Sequence, residues 1–151
     1  MTYQSTDPMI WNVRTFIYAH FVATTENPTT ATIAEHFGLA EHDVLAVLHA
    51  LHAQHALFLG GDAIRIANPF SAVPTDFVTE IGGKRYWANC AWDSLGIVVA
   101  IGAPAARIDT NCGADGQPLL IEVVDGKVID TGALAHVLVP FRHWYDDMAF
   151  T

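Results

Sequence analysis

Positively charged side chains are scarce in this sequence. Only 7 of its 151 residues are Lys or Arg, against 16 Asp or Glu, so the formal net charge is −9. This balance disfavours a nucleic acid partner, whose phosphates must be met by Lys and Arg. Charged residues make up 15% and hydrophobic residues 52% of the chain. A composition this apolar excludes an intrinsically disordered protein, which needs low hydrophobicity and high charge.

Cysteines and long apolar runs are also few. Two cysteines cannot form the disulfide framework of a small secreted protein, and residues 1–8 lack the basic and apolar regions of a signal peptide. The longest apolar run, residues 95–106, is interrupted by Gly102 and Pro104 and is shorter than the roughly 20 residues that span a bilayer. We therefore expect a cytoplasmic protein that does not cross a membrane and whose thiols stay reduced.

The first half has the periodicity of helices. Apolar residues spaced three and four apart predict helices over 9–24, 31–37 and 41–54, and a hairpin turn at Gly60-Gly61-Asp62 follows. This order is the layout of a winged helix-turn-helix, which we place at residues 1–67. Its recognition helix would be 41–54, which contains no Lys or Arg, although such a helix needs donors for phosphates and bases. We expect a packing or substrate-covering role there rather than DNA binding.

The second half mixes helix and strand patterns. Residues 68–80, with two Pro, are predicted to be a connector, and residues 81–151 an α+β subdomain with a mixed or antiparallel sheet and one helix. The predicted helix covers 89–101, and the predicted strands cover 107–110, 119–124, 128–129 and 136–139. The whole chain is therefore expected to be α+β.

The candidate chemistry lies in the segment 86–93. If a helix begins near Asn89, Cys90 lies in its first turn, where unpaired N–H groups and the helix dipole lower the thiol pKa below about 8.5. Asp93, three residues on, shares that face of the helix. The pair would join a soft nucleophile or metal ligand to a carboxyl that can carry a proton. The alternative is a small buried Cys beside an Asp that simply favours a first helical turn.

Histidines form a second candidate pattern. His49, His52 and His55 are spaced three apart, and imidazoles one turn apart can bind a metal. No Cys, Asp or Glu completes the set at matching spacing on that predicted helix, so we favour solvated or half-buried histidines.

Four segments together resemble the alkylmercury lyase (organomercurial lyase) family. They are residues 66–71, 74–75, 82–83 and 87–96, and the resemblance extends over about residues 30–150. It implies a helix-turn-helix-like N-terminal part, an α+β catalytic domain and an enzyme that cleaves carbon–mercury bonds by protonolysis. Cys90 matches the cysteine whose thiolate captures the small organomercurial substrate, and Asp93 matches the carboxyl that gives a proton to the departing carbon. No cofactor is required, and Hg(II) or another soft metal could be bound as substrate or product.

The other cysteine matches of the family are less direct. Cys112 matches a supporting cysteine, and we favour a buried structural thiol there over a second mercury ligand. The family's second catalytic cysteine follows the segment that residues 144–151 resemble, so it has no counterpart among residues 1–151. Another residue could substitute for it, the substrate could contain no mercury, or the sequence could continue, for instance through a UGA codon read as selenocysteine. The nucleotide sequence after codon 151 would test the last hypothesis.

Three functions follow from these patterns. The first is an alkylmercury lyase-like enzyme that uses Cys90 and Asp93. In the second, a repurposed enzyme uses the same pair as nucleophile and acid or base on a substrate without mercury, such as a biosynthetic intermediate. The third is a non-catalytic regulator or soft-metal-binding protein that senses through Cys90 and Cys112.

Overall fold

The protein folds as two compact α+β units. A computed structural model describes residues 7–137 and 139–146, and these divide between Asn68 and Pro69. The described part contains four α-helices and eight β-strands, and the strand pairs within each unit are antiparallel. The α+β class expected from the sequence is therefore confirmed.

The first unit consists of three helices and a hairpin. Its elements are α1 (Pro8–Thr24), α2 (Thr30–Phe37), α3 (Glu41–Ala53), β1 (Phe58–Gly60) and β2 (Ala63–Ala67). The Thr29 side chain accepts the N–H of Thr32 at 3.1 Å, which satisfies one free donor at the start of α2. The core of this unit is apolar and fully buried, with large contributions from Ile10, Ile17, Phe21, Ile33, Leu48, Leu51, Leu57 and Ile66.

The second unit is an antiparallel sheet with one helix. Its elements are β3 (Phe70–Ser71), β4 (Phe77–Ile81), β5 (Lys84–Ala88), α4 (Ala91–Ile101), β6 (Ala106–Asn111), β7 (Pro118–Val124), β8 (Lys127–Val128) and a short 3-10 helix (Phe141–His143). The strands lie in the order β3-β5-β4-β6-β7-β8. Consecutive strands in the chain are joined by tight turns at β4–β5 and β7–β8, whereas α4 separates β5 from β6.

Helix α4 packs on one face of this sheet. Val98 of the helix contacts Ile108 of β6 and Val123 of β7 in a buried cluster. The hydroxyl of Thr79, at the centre of β4, donates to the carbonyl of Ser94 in α4 at 3.0 Å. Because Thr79 is fully buried, this bond satisfies a polar group that would otherwise be costly inside the core. It also holds the first turns of α4 against β4.

The structure differs from the sequence expectations in three places. The stretch predicted to be a connector, 68–80, contains β3 and most of β4. The glycines 82 and 83 both have positive φ, 59° and 79°, so they close a two-residue turn that joins β4 to the unpredicted strand β5. In the predicted strand 136–139, the described residues 136, 137 and 139 are not in a strand. An apolar run alone does not form a strand without a partner for its backbone groups.

The helices do not suggest a membrane-spanning segment. None of those in the described residues combines the length and the apolar character that crossing a bilayer requires.

The two neighbouring valines at the end of β7 provide a test of the core. Val123 is 4% exposed and packs under α4, whereas Val124 is 48% exposed on the other face. We expect Val123→Ala to lower the free energy of unfolding by about 2 kcal/mol through lost burial and a cavity. The matched Val124→Ala should change it by less than about 0.5 kcal/mol. Urea denaturation measures the free energy of unfolding of both variants. Equal losses of stability would contradict the assignment of Val123 to the buried face and Val124 to the exposed face of β7.

Candidate active site

The candidate site lies where β5 leaves the sheet and α4 begins. Cys90 is the N-cap of α4, in an extended conformation with φ −154°, so the helix starts two residues later than predicted. Asp93 then lies in the first turn, where its side chain can face back toward the cap. The Cys90 thiol donates to Asp93 Oδ2 over 3.6 Å. The structure thus brings together the two residues that the sequence singled out.

Burial and charge both affect the ionisation of the Cys90 thiol. Asp93 is only 7% exposed, and Cys90 is half-buried. Desolvation raises the pKa of the Cys90 thiol, and the negative charge of Asp93 raises it further. The N–H groups of Trp92 and Asp93 favour the thiolate but do not outweigh these two effects. The expectation of a lowered pKa from the helix start was therefore wrong, because it counted the helix dipole and not the burial.

Two side-chain hydroxyl groups hold the segment around the pair. The Ser94 hydroxyl donates to the carbonyl of Ala91 at 2.7 Å, which reinforces the first turn of α4. On the strand side, the Thr75 hydroxyl donates to the carbonyl of Ala88, the last residue of β5, at 2.6 Å. Hydrogen bonds therefore stabilise the chain on both sides of Cys90. One lies within the first turn of α4, and the other joins a loop residue to the end of β5.

Cys112 is engaged in the loop that joins β6 to β7. Its N–H donates to Gln117 O at 2.8 Å, and its carbonyl accepts from Gly116 N at 2.8 Å. The N–H of Gln117 and the thiol of Cys112 hold the pKa of Asp115 below its usual value. The Cys112 side chain is half-buried rather than fully buried, and its structural role stays a prediction. Its service as a mercury ligand stays a prediction.

The histidine row makes local contacts. His49 Nε2 lies 3.1 Å from Asp62 Oδ1, His52 Nδ1 is 3.4 Å from the N–H of Leu59, and the His55 ring stacks on Phe58. Over residues 7–137 and 139–146, no three His, Cys, Asp or Glu side chains are grouped so as to hold a metal ion.

The comparison with known proteins identifies the family. The sequence model of the family MerB, alkylmercury lyase, matches residues 70–149, which is more than half of the chain and includes Cys90, Asp93 and Cys112. The chain belongs to the alkylmercury lyase family. The match covers the second unit, where the Cys90–Asp93 pair lies.

One solved structure is similar to this chain in fold. The crystal structure described as the mercury-bound form of MerB2 is similar to this chain with a TM-score of 0.63 and 23% sequence identity. The alignment covers 80% of this chain and 58% of that chain, so the present chain spans less than two thirds of its length. No curated protein matches the sequence.

Sequence reasoning did not find the hydrogen bond from Thr75 to Ala88. The dipeptide Pro74-Thr75 is one of the segments that resemble the alkylmercury lyase family. Nothing in its spacing links it to Cys90. The link is a contact between residues 13 positions apart that depends on the β4–β5 hairpin. A prediction of that hairpin from Gly82-Gly83 would have supplied the signal.

The raised thiol pKa predicts a specific effect of the neighbouring carboxylate. In a Cys112→Ser background, Asp93→Asn removes the negative charge that opposes ionisation of Cys90. The pKa of Cys90 should fall toward its ordinary value, and alkylation by iodoacetamide should begin at lower pH. The pH profile of the alkylation rate measures this shift. Asp125→Asn, in the β7–β8 turn, is the control and should leave the profile unchanged, and an unshifted profile in Asp93→Asn would contradict the assignment.

Proposed function

We propose that this protein is an alkylmercury lyase-like enzyme that cleaves a carbon–mercury bond by protonolysis. The observation that carries the proposal is the contact of Cys90 Sγ with Asp93 Oδ2 over 3.6 Å. It lies within the part of the chain that matches the family. The pair joins a sulfur atom, the donor that soft metals prefer, to a carboxyl group that can transfer a proton.

In the first proposed step, the substrate is captured. The sulfur of Cys90 forms a bond to the mercury of an alkyl- or arylmercury cation, and the thiol proton passes to Asp93, to which the thiol already donates. This transfer leaves a neutral carboxylic acid beside the sulfur–mercury–carbon unit. The raised pKa of Cys90 supports this order of events, because the thiol then holds the proton until mercury displaces it.

In the second proposed step, the carbon departs. Asp93 gives its proton to the carbon, the electron pair of the carbon–mercury bond forms the new carbon–hydrogen bond, and a hydrocarbon is released. Mercury stays as Hg(II) on the sulfur of Cys90, and Asp93 is a carboxylate again. The near-complete burial of Asp93 supports its part, because a carboxyl shielded from water delivers its proton to the substrate rather than to solvent.

The proposed partners and location rest on the charge of α3 and on the free cysteines. A small organomercurial is the proposed substrate, and we propose no nucleic acid partner, because α3, the recognition helix of a winged-helix layout, begins with Glu41 and Asp43 and contains no Lys or Arg. Both cysteines are free. A cytoplasmic location, where thiols stay reduced, is therefore the proposed one.

Hydrocarbon release decides the proposed function. The wild-type protein is incubated with phenylmercury or methylmercury and excess thiol, and benzene or methane is measured by gas chromatography. We expect the amount of hydrocarbon released to grow with protein concentration. We also expect each protein molecule to turn over repeatedly. If none is released, protonolysis is rejected, and the repurposed enzyme or the soft-metal-binding protein is the function to pursue.

Substitutions at three positions test the assigned roles. Cys90→Ser should abolish hydrocarbon release, since the hydroxyl does not capture mercury. Asp93→Asn should still bind the organomercurial but slow its cleavage by about 10²- to 10⁴-fold, the contribution of a positioned general acid. Cys112→Ser is the matched thiol control and should stay active. Full activity in Cys90→Ser, measured in the same assay, would defeat the site assignment.

A further inference from the structure

Thr75 connects the strand that precedes Cys90 to a neighbouring loop. It lies between β3 and β4, and its hydroxyl donates to Ala88 O at 2.6 Å. The hydroxyl oxygen of Thr75 also accepts the N–H of Phe77 at 3.3 Å and lies 3.2 Å from the carbonyl oxygen of Phe77. One hydroxyl therefore links the start of β4 to the last residue of β5, two positions before Cys90.

Ala88 is the last residue of β5 and lies two positions before Cys90. The ladder of β4 and β5 ends with Phe77 opposite Ala88, so Asn89 and Cys90 lie beyond it. On the helix side, the carbonyl of Cys90 accepts the N–H of Ser94 at 3.0 Å. Ala88, where the chain leaves the sheet, is therefore held by its strand partners and by Thr75.

We propose that Thr75 is a positioning residue, whose hydroxyl holds the carbonyl of Ala88 and so keeps the Cys90 thiol against Asp93 and half-buried. Its significance for catalysis rests on the proposed function, but the positioning itself does not. Ala88 also pairs with Phe70 of β3 and Phe77 of β4, so loss of the hydroxyl removes one of several contacts at this residue. We expect the β5–α4 connection then to move more and to expose the sulfur more often.

Ser71, the last residue of β3, provides a control four positions before Thr75. Its hydroxyl donates to Val73 O at 2.8 Å and accepts the N–H of Val73 at 3.3 Å. This is the same local arrangement as that of Thr75 and Phe77, but the bonds of the Ser71 hydroxyl are to Val73 and not to Ala88. Ser71→Ala therefore removes a nearby hydroxyl and leaves the bond from Thr75 to Ala88 in place.

The experiment measures the reactivity of Cys90 with iodoacetamide at fixed pH, in a Cys112→Ser background, by intact mass. Thr75→Val should raise the alkylation rate about fivefold, the factor that corresponds to losing one ordinary hydrogen bond. Thr75→Ser, which keeps the hydroxyl, should restore the parent rate, and Ser71→Ala should stay close to it. Thr75→Ala is the second hydroxyl-free variant if the valine variant does not fold.

Thermal unfolding and near-UV circular dichroism show which variants are folded. Equal alkylation rates in the parent and in a folded Thr75→Val or Thr75→Ala would overturn the proposal. A rise of the same size in Ser71→Ala or in Thr75→Ser would also overturn it, since the effect would then belong to the loop as a whole. The assay contains no mercury, so its outcome is independent of the hydrocarbon assay. If both proposals hold, Thr75→Val also lowers kcat for hydrocarbon release, and Thr75→Ser restores it.

Discussion

Helix α4 begins one residue after Cys90, and this starting point determines the geometry of the site. It makes Cys90 the N-cap and Asp93 the third helical residue, two positions whose side chains face each other at the start of a helix. The buried bond from Thr79 to Ser94 fixes the same turn against β4. A shift of the helix start by one residue would turn Asp93 away from the sulfur, even with the sequence unchanged.

The electrostatics of the site depend on a competition that favours the neutral thiol. A helix N-terminus stabilises a nearby anion by about 0.3–1 kcal/mol, whereas burial and a like charge can each shift a pKa by several units. At Cys90 the latter effects are larger. The raised pKa of Cys90 therefore favours a neutral thiol over a preformed thiolate.

The sequence allowed much of the fold to be predicted, because much of it is local. The spacing of apolar residues located α1 to α3, and the separation of three residues between Cys90 and Asp93 placed both on one side of a turn. The β4–β5 hairpin was missed because its strands are short and its pairing is visible only through the turn at Gly82. The direction of the Cys90 pKa could not be predicted either, since burial results from packing between distant parts of the chain. The bond of Thr75 to Ala88 depends on that same hairpin.

Cysteine is an unusual residue to begin a helix. Ser, Thr, Asp and Asn are preferred at this position, and lacking them costs about 1 kcal/mol. Within the described helix, the side chain of Cys90 makes no regular capping hydrogen bond, because sulfur is a weak acceptor. A better cap would strengthen the fold and remove the sulfur chemistry at the same time. If Cys90 acts as proposed, stability and function make opposite demands on this one position. The buried contacts between α4 and the sheet offset what the cap does not supply.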